Sequence, residues 1–168
     1  MRIIPVLLLL LLSGCGYHTP GASDTWVGGE ARILYVQLFD NRSVEPYLEN
    51  YITDALIAEL SRSRLIELTE SPDKADVRLV GNVKDFTESA TSYGKSDQIT
   101  EYSATMAIAV RLLDKNSSDI IWQKSLTRSE DYLATINKNV QLEGQRRAAI
   151  RVSQRLAEDV YASMLNSF

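Results

Sequence analysis

The sequence predicts an α+β fold, a two-layer sandwich in which two helices pack on one face of a mostly antiparallel sheet of four to five strands. Three observations indicate this. Long segments between residues 76 and 128 alternate apolar and polar residues with the period of two that strands show. Two other segments repeat apolar residues every three or four positions, as amphipathic helices do. The segments follow the order β-α-β-β-β-β-α, which favours one sheet with its helices on one side.

The first strand and first helix are predicted before residue 63. Nearly every residue of 31–39 is apolar, as expected for a central strand covered on both faces. The polar segment 40–43 ends this strand, because its side chains favour turns and helix caps. A helix is predicted at 45–62, with Pro46 in the first turn, where proline is tolerated. A short strand at 65–68 follows. The apolar face of the helix comprises Leu48, Tyr51, Ile52, Ala55, Leu56 and Leu60.

The next three strands are predicted to form a meander at 76–92, 100–113 and 120–128. A loop at 92–97 joins the first two, and a tight turn rich in Asn and Ser at 114–119 joins the last two. One face of the second strand is predicted to be buried, and one face of the third is predicted to be apolar. These faces comprise Tyr102, Ala104, Met106, Ile108, Val110 and Leu112, and then Ile120, Trp122 and Leu126.

A polar connection at 129–139 leads to a long amphipathic helix predicted at 140–164. Its arginines could form an anion-binding stripe, but a solvated face on which they pair with nearby acids is the favoured interpretation. The apolar side of this helix comprises Ala149, Val152, Leu156, Val160 and Met164, and the arginines are Arg146, Arg147, Arg151 and Arg155.

The first 14 residues have the pattern of a secretory signal. Arg2 provides a basic start, an apolar run follows, and small residues precede the only cysteine, Cys15. The apolar run is shorter than the roughly 20 residues that a membrane-spanning helix needs. Leu12 to Cys15 resembles the bacterial lipobox, in which the cysteine receives a diacylglycerol and the chain is cut before it. An ordinary cleaved signal with a chance cysteine is the alternative.

The lipobox resemblance divides the chain into three parts. Residues 1–14 are expected to be a cleaved signal peptide, residues 15–30 a lipidated flexible tether, and residues 31–168 a single domain. The resemblance also implies three acyl chains on Cys15, which would make membrane attachment effectively permanent, since one chain alone holds only marginally. Gly16, in place of the Asp that retains lipoproteins elsewhere, favours the outer membrane with the domain on its periplasmic side.

Composition argues against several function classes. Removal of Arg2 leaves 17 basic residues against 22 acidic ones, and nucleic-acid binders usually show a strongly basic face. The only histidine, His18, and the only cysteine precede the domain, so the domain offers neither imidazole nor thiolate ligands for zinc. It also lacks a histidine for a Ser-His-Asp triad. We therefore expect a binding protein without cofactor or metal, and not an enzyme.

Two lysines occupy positions that favour ligand binding. Lys95 lies at the predicted tip between the two longest strands, and Lys138 lies in the predicted loop just before the last helix. Binding residues concentrate on loops carried by a rigid scaffold, and Lys acts as a point charge toward phosphate. Both side chains could equally be ordinary exposed lysines.

The sequence resembles the LptE family of lipopolysaccharide-assembly lipoproteins. The resemblance covers most of 15–168 and rests on several loose motifs that occur in the family's order. These are Cys15-Gly16-Tyr17-His18 after the lipobox, Asp40-Asn41-Arg42-Ser43-Val44-Glu45-Pro46 leading into Leu56-Ile57-Ala58-Glu59-Leu60, Ala75-Asp76-Val77-Arg78-Leu79-Val80-Gly81, Glu101-Tyr102 opening a long strand, and Trp122 in the next strand.

This resemblance implies an outer-membrane lipoprotein that plugs the LptD β-barrel, helps it assemble, and contacts lipopolysaccharide on its way to the cell surface. The family places a basic residue in the loop before the "EY" strand and another before the final helix. Lys95 and Lys138 hold these places here, with Lys95 standing where well-known members have Arg. The implied lipopolysaccharide-binding residues are therefore Lys95 and Lys138.

A second resemblance gives an alternative. The strand at 33–39, Asp40-Asn41 and the helical segment 52–56 are similar to the α/β unit of periplasmic proteins such as CsgG and the N-terminal part of TolB. That resemblance implies a different envelope lipoprotein, of the secretion or envelope-integrity type.

Overall fold

The computed structural model describes residues 26–31, 33–95 and 97–165 of the 168-residue chain. Within these ranges six strands and two α-helices follow one another in the order β1-β2-α1-β3-β4-β5-β6-α2. A short 3₁₀ helix at Pro72–Lys74 precedes β4. The strands are β1 (Ile33–Val36), β2 (Asp40–Asn41), β3 (Glu67–Leu68), β4 (Val77–Tyr93), β5 (Ile99–Asp114) and β6 (Ile120–Leu133), and the helices are α1 (Leu48–Leu60) and α2 (Lys138–Leu165).

The strands form one mixed sheet in the order β3-β1-β4-β5-β6, with β2 continuing the line of β1 along β4. The short strands β1, β2 and β3 make parallel pairs, whereas the long strands β4, β5 and β6 are antiparallel. The predicted two-layer α+β architecture is confirmed. The sheet differs from the prediction in two ways. β1 runs parallel to β4, which gives the sheet a parallel part, and β2 is an additional strand of two residues.

Both helices pack on one face of the sheet and against each other. On β5 the even-numbered residues from Ala104 to Leu112 are buried, while the odd-numbered ones on the opposite face are half-buried or, at Arg111, exposed. The predicted register of β5 is thus confirmed. The buried faces of the helices comprise Leu48, Ile52, Thr53, Leu56 and Leu60 on α1, and Ala148, Ala149, Val152, Ser153, Leu156, Ala157, Val160 and Met164 on α2.

At Gly81, in the central part of β4, the ring of Phe39 packs directly against the strand backbone. The glycine Cα faces the helix layer, where a Cβ would lie 2.3 Å from the ring of Phe39 and 2.7 Å from the backbone oxygen of Ala109. The aromatic ring of Phe39 is itself buried. The glycine is needed here for space and not for an unusual backbone conformation.

The first strand and helix are both shorter than predicted. The Gln37 amide still donates to the Leu79 carbonyl of β4 at 2.9 Å, but the Phe39 amide donates to Thr53 Oγ1 at 3.1 Å and not to a strand. The side chains of Ile33 and Tyr35 are only half-buried, so β1 is central but its second face is not fully covered. Tyr47 adopts φ 68° directly before α1, which leaves Pro46 in the preceding turn.

The third strand of the meander is longer than predicted, and Ile120 lies on the opposite face from the one predicted, whereas Trp122 and Leu126 pack against the core as predicted. It continues to Leu133, five residues past the predicted end at 128. A register shift pairs Leu112 with Trp122 but Leu113 with Ile120, which places Ile120 on the open face, 50% exposed. The predicted polar connection at 129–139 therefore shrinks to four residues.

The chain enters the domain through a buried aromatic residue. The side chains of Trp26 and Val27 lie in the hydrophobic core, and the amide of Val27 donates to the carbonyl of Met164 at 3.0 Å. Trp26 Nε1 donates to the carbonyl of Ala31 at 2.9 Å. The predicted signal peptide and Cys15 lie outside the described residues.

Candidate functional site

Lys95 and Lys138 lie at the same end of the sheet. Tyr93 pairs with Ile99 across the β4–β5 turn, and Leu133 at the end of β6 pairs with Glu101 just inside that turn. The first turns of α2 start five residues further on. We call the resulting surface the distal end: residues 93–95 and 97–99, the last residue of β6 (Leu133), the β6–α2 connection at 134–137, and the start of α2 at 138–147.

Lys138 is the first residue of α2 and not, as predicted from the sequence, part of the preceding loop. Asn137 causes the early start, because its Oδ1 accepts hydrogen bonds from the amides of Asn139 at 3.0 Å and Val140 at 3.3 Å. This satisfies amides that a helix start leaves without partners. Gln141 Oε1 also accepts from the Thr135 amide at 2.9 Å. These bonds fix Lys138 on an ordered turn that projects into solvent.

The distal end gathers exposed apolar side chains. Of the large apolar side chains exposed in the described part of the chain, half lie here. Ile136 is fully exposed, and Leu133 is 77% exposed. Apolar side chains at this density, interspersed with basic ones, form an amphipathic surface of the kind that marks a lipid or protein contact. The members are Tyr93, Ile99, Leu133, Ile136, Val140 and Leu142.

A groove of about 500 Å³ opens between the end of β6 and the start of α2. Leu133 and Val140 give its lining an apolar part, and Arg147 and Arg151 outnumber the one acidic residue of the lining, Asp131. The wall is close-packed, since a Cβ on Gly144 would lie 3.1 Å from the ring of Tyr132. From the sequence, Arg147 and Arg151 belonged to a helix face that could bind anions but was expected to be solvated and salt-bridged. The apolar residues within the predicted polar connection were the signal that could have indicated this groove.

Tyr132 holds the base of this groove in place. Its ring stacks on that of Tyr102 with centroids 5.6 Å apart. Its hydroxyl donates to Glu88 and accepts from Gln141 Nε2 at 3.4 Å. Burial, together with the hydrogen bond to Glu88, raises the pKa of the Tyr132 phenol, so the residue stays neutral. Tyr132 therefore links β4, β5 and α2 without contributing charge to the groove.

The arginines of α2 divide into paired and available groups. Arg151 and Arg155 both contact Glu130, at 2.9 and 3.0 Å, and Arg146 pairs with Glu143 at 3.0 Å. The guanidinium of Arg146 lowers the pKa of the Glu143 carboxyl. This agrees with the salt-bridged face favoured from the sequence. Within the described ranges, Lys95, Lys138 and Arg147 form no ion pair within 4 Å.

The other large groove has a different character. It runs between α1 and α2, measures about 540 Å³, and is lined by the acidic residues Asp54, Glu59 and Glu158 and by Arg62, which pairs with Glu59 at 2.9 Å. The acidic residues of this lining outnumber its one arginine, so the distal end is the better candidate for an anionic ligand. No helix within the described residues is long and apolar enough to cross a membrane. The same residues contain no cluster of three or more potential metal ligands.

A family model described as LptE, lipopolysaccharide assembly, matches residues 31–164. The chain belongs to the LptE family. Its match covers nearly all of the described domain, including the distal end and both lysines. The process that the model's description gives for the family is lipopolysaccharide assembly. No curated protein is significantly similar to the sequence.

Solved structures share the fold of this LptE-family chain. A minor lipoprotein from Acinetobacter baumannii is 17% identical with a TM-score of 0.52, covering 81% of this chain and 94% of that one. Rare lipoprotein B from Shewanella oneidensis is 11% identical with a TM-score of 0.50, covering 77% and 94%. A protein from Chlamydia trachomatis is 12% identical with a TM-score of 0.57, covering 82% and 99%. At these identities the similarity is one of fold.

Proposed function

We propose that this chain is an outer-membrane lipoprotein that plugs and helps assemble the LptD β-barrel, and that it binds lipopolysaccharide with its distal end. Membership of the LptE family supports the process, lipopolysaccharide assembly. The barrel partner, the lipid anchor on Cys15 and the lipid contact belong to the proposal. The domain would lie on the periplasmic side of the membrane or inside the barrel lumen.

The amphipathic character of the distal end is the observation that carries the lipid-binding part of the proposal. Lipopolysaccharide presents phosphates directly beside acyl chains. Lys95, Lys138 and Arg147 are exposed cations that can meet the phosphates, while Leu133 and Ile136 offer apolar surface to the chains. A lysine beside phosphate in a partly dry contact gains more than the 0–1 kcal/mol, roughly, of an exposed ion pair.

The proposal is tested by reversing both lysine charges, Lys95→Glu with Lys138→Glu, in the full-length chain. We expect weaker binding of purified lipopolysaccharide, because two attractions to phosphate become repulsions. The fold should survive, since exposed substitutions usually change stability by less than about 0.5 kcal/mol. High salt should also weaken wild-type binding, because exposed charges are screened beyond a Debye length of about 8 Å.

A matched control reverses two basic residues at the opposite end of the sheet, Arg64→Glu with Lys74→Glu, which are also exposed. Equal loss in both double variants would indicate a general charge effect and not a site. Unchanged binding in a folded Lys95/Lys138 variant would remove both residues from the site and leave Arg147 as the candidate. Co-purification with LptD is measured in the same samples. Its absence in the wild type would favour the secretion or envelope-integrity alternative.

A further inference from the structure

Lys138 and Arg147 lie on opposite sides of α2, although both belong to the distal end. Arg147 follows Lys138 by roughly two and a half helical turns, which is about 13 Å along the helix axis. A single phosphate group therefore does not bridge these two side chains. If both cations contact the same ligand, they contact different groups of it.

Arg147 faces the groove between the end of β6 and the start of α2, which we call the β6–α2 groove. Val140, Gly144, Arg147 and Arg151 recur every three or four residues and so share one side of the helix. All four line the groove, and Lys138 is not part of its lining. The groove is thus a surface separate from the one that carries Lys138.

The opposite wall of the β6–α2 groove is formed by the outer edge of β6. The amide of Ala134 donates to the carbonyl of Thr100, and bonded pairs alternate along antiparallel strands. Asp131 and Leu133 therefore direct their backbone groups away from β5 and into the groove. Arg151 Nη2 donates to the Asp131 carbonyl at 3.4 Å. Within the described residues, the outward amide of Leu133 has no hydrogen-bond partner.

The acidic residues near Arg147 are engaged by other arginines. Glu143, which interacts electrostatically with Arg147, pairs with Arg146 at 3.0 Å. Glu130 contacts both Arg151 and Arg155, at 2.9 and 3.0 Å. Arg147 itself is exposed. Its planar guanidinium is therefore placed to donate two parallel hydrogen bonds to a phosphate.

We propose that the β6–α2 groove binds a phosphorylated sugar, the headgroup of lipopolysaccharide, and that Arg147 contacts its phosphate. The inference rests on the proposed function and adds a second subsite to it. The groove measures about 500 Å³, within the range of roughly 300–1,000 Å³ typical of small-molecule sites. Gly144 keeps the ring of Tyr132 accessible at its base, because a Cβ there would lie 3.1 Å from that ring.

The chemistry of the two walls favours a sugar over an acyl chain. An acyl chain lying along the edge of β6 would cover the Leu133 amide without giving it a partner, which is costly. A sugar hydroxyl can accept from that amide and donate to the carboxylate of Asp131, the one acidic residue of the lining. The acyl chains would instead meet the exposed side chains of Leu133 and Ile136.

Binding of the sugar is tested with two probes and the full-length chain: purified lipopolysaccharide, and the same material after chemical removal of its acyl chains. We expect the wild type to bind both. Arg147→Gln should bind each probe roughly tenfold more weakly, as expected for the loss of a hydrogen bond to a charged group. After phosphatase treatment of the de-acylated probe, the wild type and the variant should bind it equally.

Arg64→Gln is the matched control, since Arg64 is also exposed but lies at the opposite end of the sheet. It should bind both probes like the wild type, and all variants should melt like the wild type. Failure of the wild type to bind the de-acylated probe, or equal binding by Arg147→Gln, would overturn the proposal. Competition by inorganic phosphate or by phosphatidylglycerol vesicles as strong as by the de-acylated probe would also overturn it, because neither carries a phosphorylated sugar.

The Lys95→Glu, Lys138→Glu variant separates this inference from the proposed function. It should bind intact lipopolysaccharide more weakly and still bind the de-acylated probe in a way that depends on Arg147. Lysine-dependent binding of intact lipopolysaccharide without binding of the de-acylated probe would disprove the sugar subsite alone. Absence of any binding of intact lipopolysaccharide by the wild type would disprove the proposed function.

Discussion

Ile108 and Ala107 are neighbours in the centre of β5, but their side chains lie on opposite faces of the sheet. Ile108 is fully buried beneath the helices, and Ala107 is half-buried on the open face. Strict alternation between apolar and small residues made this difference predictable from the sequence. Gly81 was not predictable in the same way, because the ring of Phe39 that excludes a Cβ comes from a segment 42 residues earlier.

Substitutions at these two positions should therefore have unequal effects on stability. Ile108→Ala should lower the free energy of unfolding by roughly 2–5 kcal/mol, because it leaves a cavity in a close-packed core. Ala107→Ser should cost far less, since the added hydroxyl can reach water on the open face. Chemical denaturation of both variants beside the wild type measures the difference. Equal losses would mean that the register of β5 is wrong.

At the scale of elements, hydrophobic periodicity located β4, β5 and both helices but not the full length of β6. The helix side of β6 carries Lys124, Arg128 and Glu130 where an apolar pattern was sought. These side chains bond to side chains of α2, so this part of the strand meets the helix through exposed polar contacts and not through an apolar face. The parallel pairing of β1 also could not be predicted from the sequence, because it depends on which strand β1 meets in three dimensions. The early start of α2 follows from capping by Asn137, a local interaction that hydrophobic periodicity does not detect.

Glu45 joins three elements: it precedes α1, faces Glu88 of β4, and accepts a hydrogen bond from Gln145 of α2 at 3.3 Å. Burial raises the pKa of its carboxyl, and the nearby Glu88 carboxylate raises it further. The folded protein therefore binds this proton more tightly than the unfolded chain does. Stability is undiminished below the ordinary pKa of 4.5 and falls as the pH rises through the raised folded value.

Glu45→Gln should remove this penalty, because the amide stays neutral and can still accept from Gln145. We expect the variant to melt at a higher temperature than the wild type near neutral pH and at a similar temperature below pH 4.5. An exposed glutamate, Glu70, provides the control substitution to Gln. A lower melting temperature of Glu45→Gln at neutral pH would show that the ionised carboxylate stabilises this junction.

At the scale of the whole molecule, the candidate site could be predicted only in part. The positions of Lys95 and Lys138 follow from the hairpin and the last helix, which the sequence indicated. The groove could not be predicted, because Leu133 and Arg147 meet only when α2 folds back along β6. The two ends of the molecule are also distinct, since the chain enters beside Met164, near the end of α2 and far from the distal end.

The separation of these two ends of the molecule bears on the proposed lipid anchor. From Cys15 to Trp26 the chain can extend by at most about 40 Å. A lipid on Cys15 would thus be joined to the domain at the end opposite Lys95 and Lys138. No other residue of the chain offers a thiol for the thioether, because Cys15 is the only cysteine.

We therefore expect Cys15→Ala to abolish lipid attachment and to leave an unprocessed or mislocalised precursor, since processing at a lipobox requires the modified cysteine. Metabolic labelling with a fatty-acid analogue, followed by membrane fractionation, measures both effects. Ser23→Ala, a change within the same segment that leaves Cys15 intact, should be labelled like the wild type. The Lys95→Glu, Lys138→Glu variant should also be labelled fully, because its defect is expected in ligand binding and not in anchoring. Label in the Cys15→Ala chain at the wild-type level would disprove the assignment of Cys15 as the anchor.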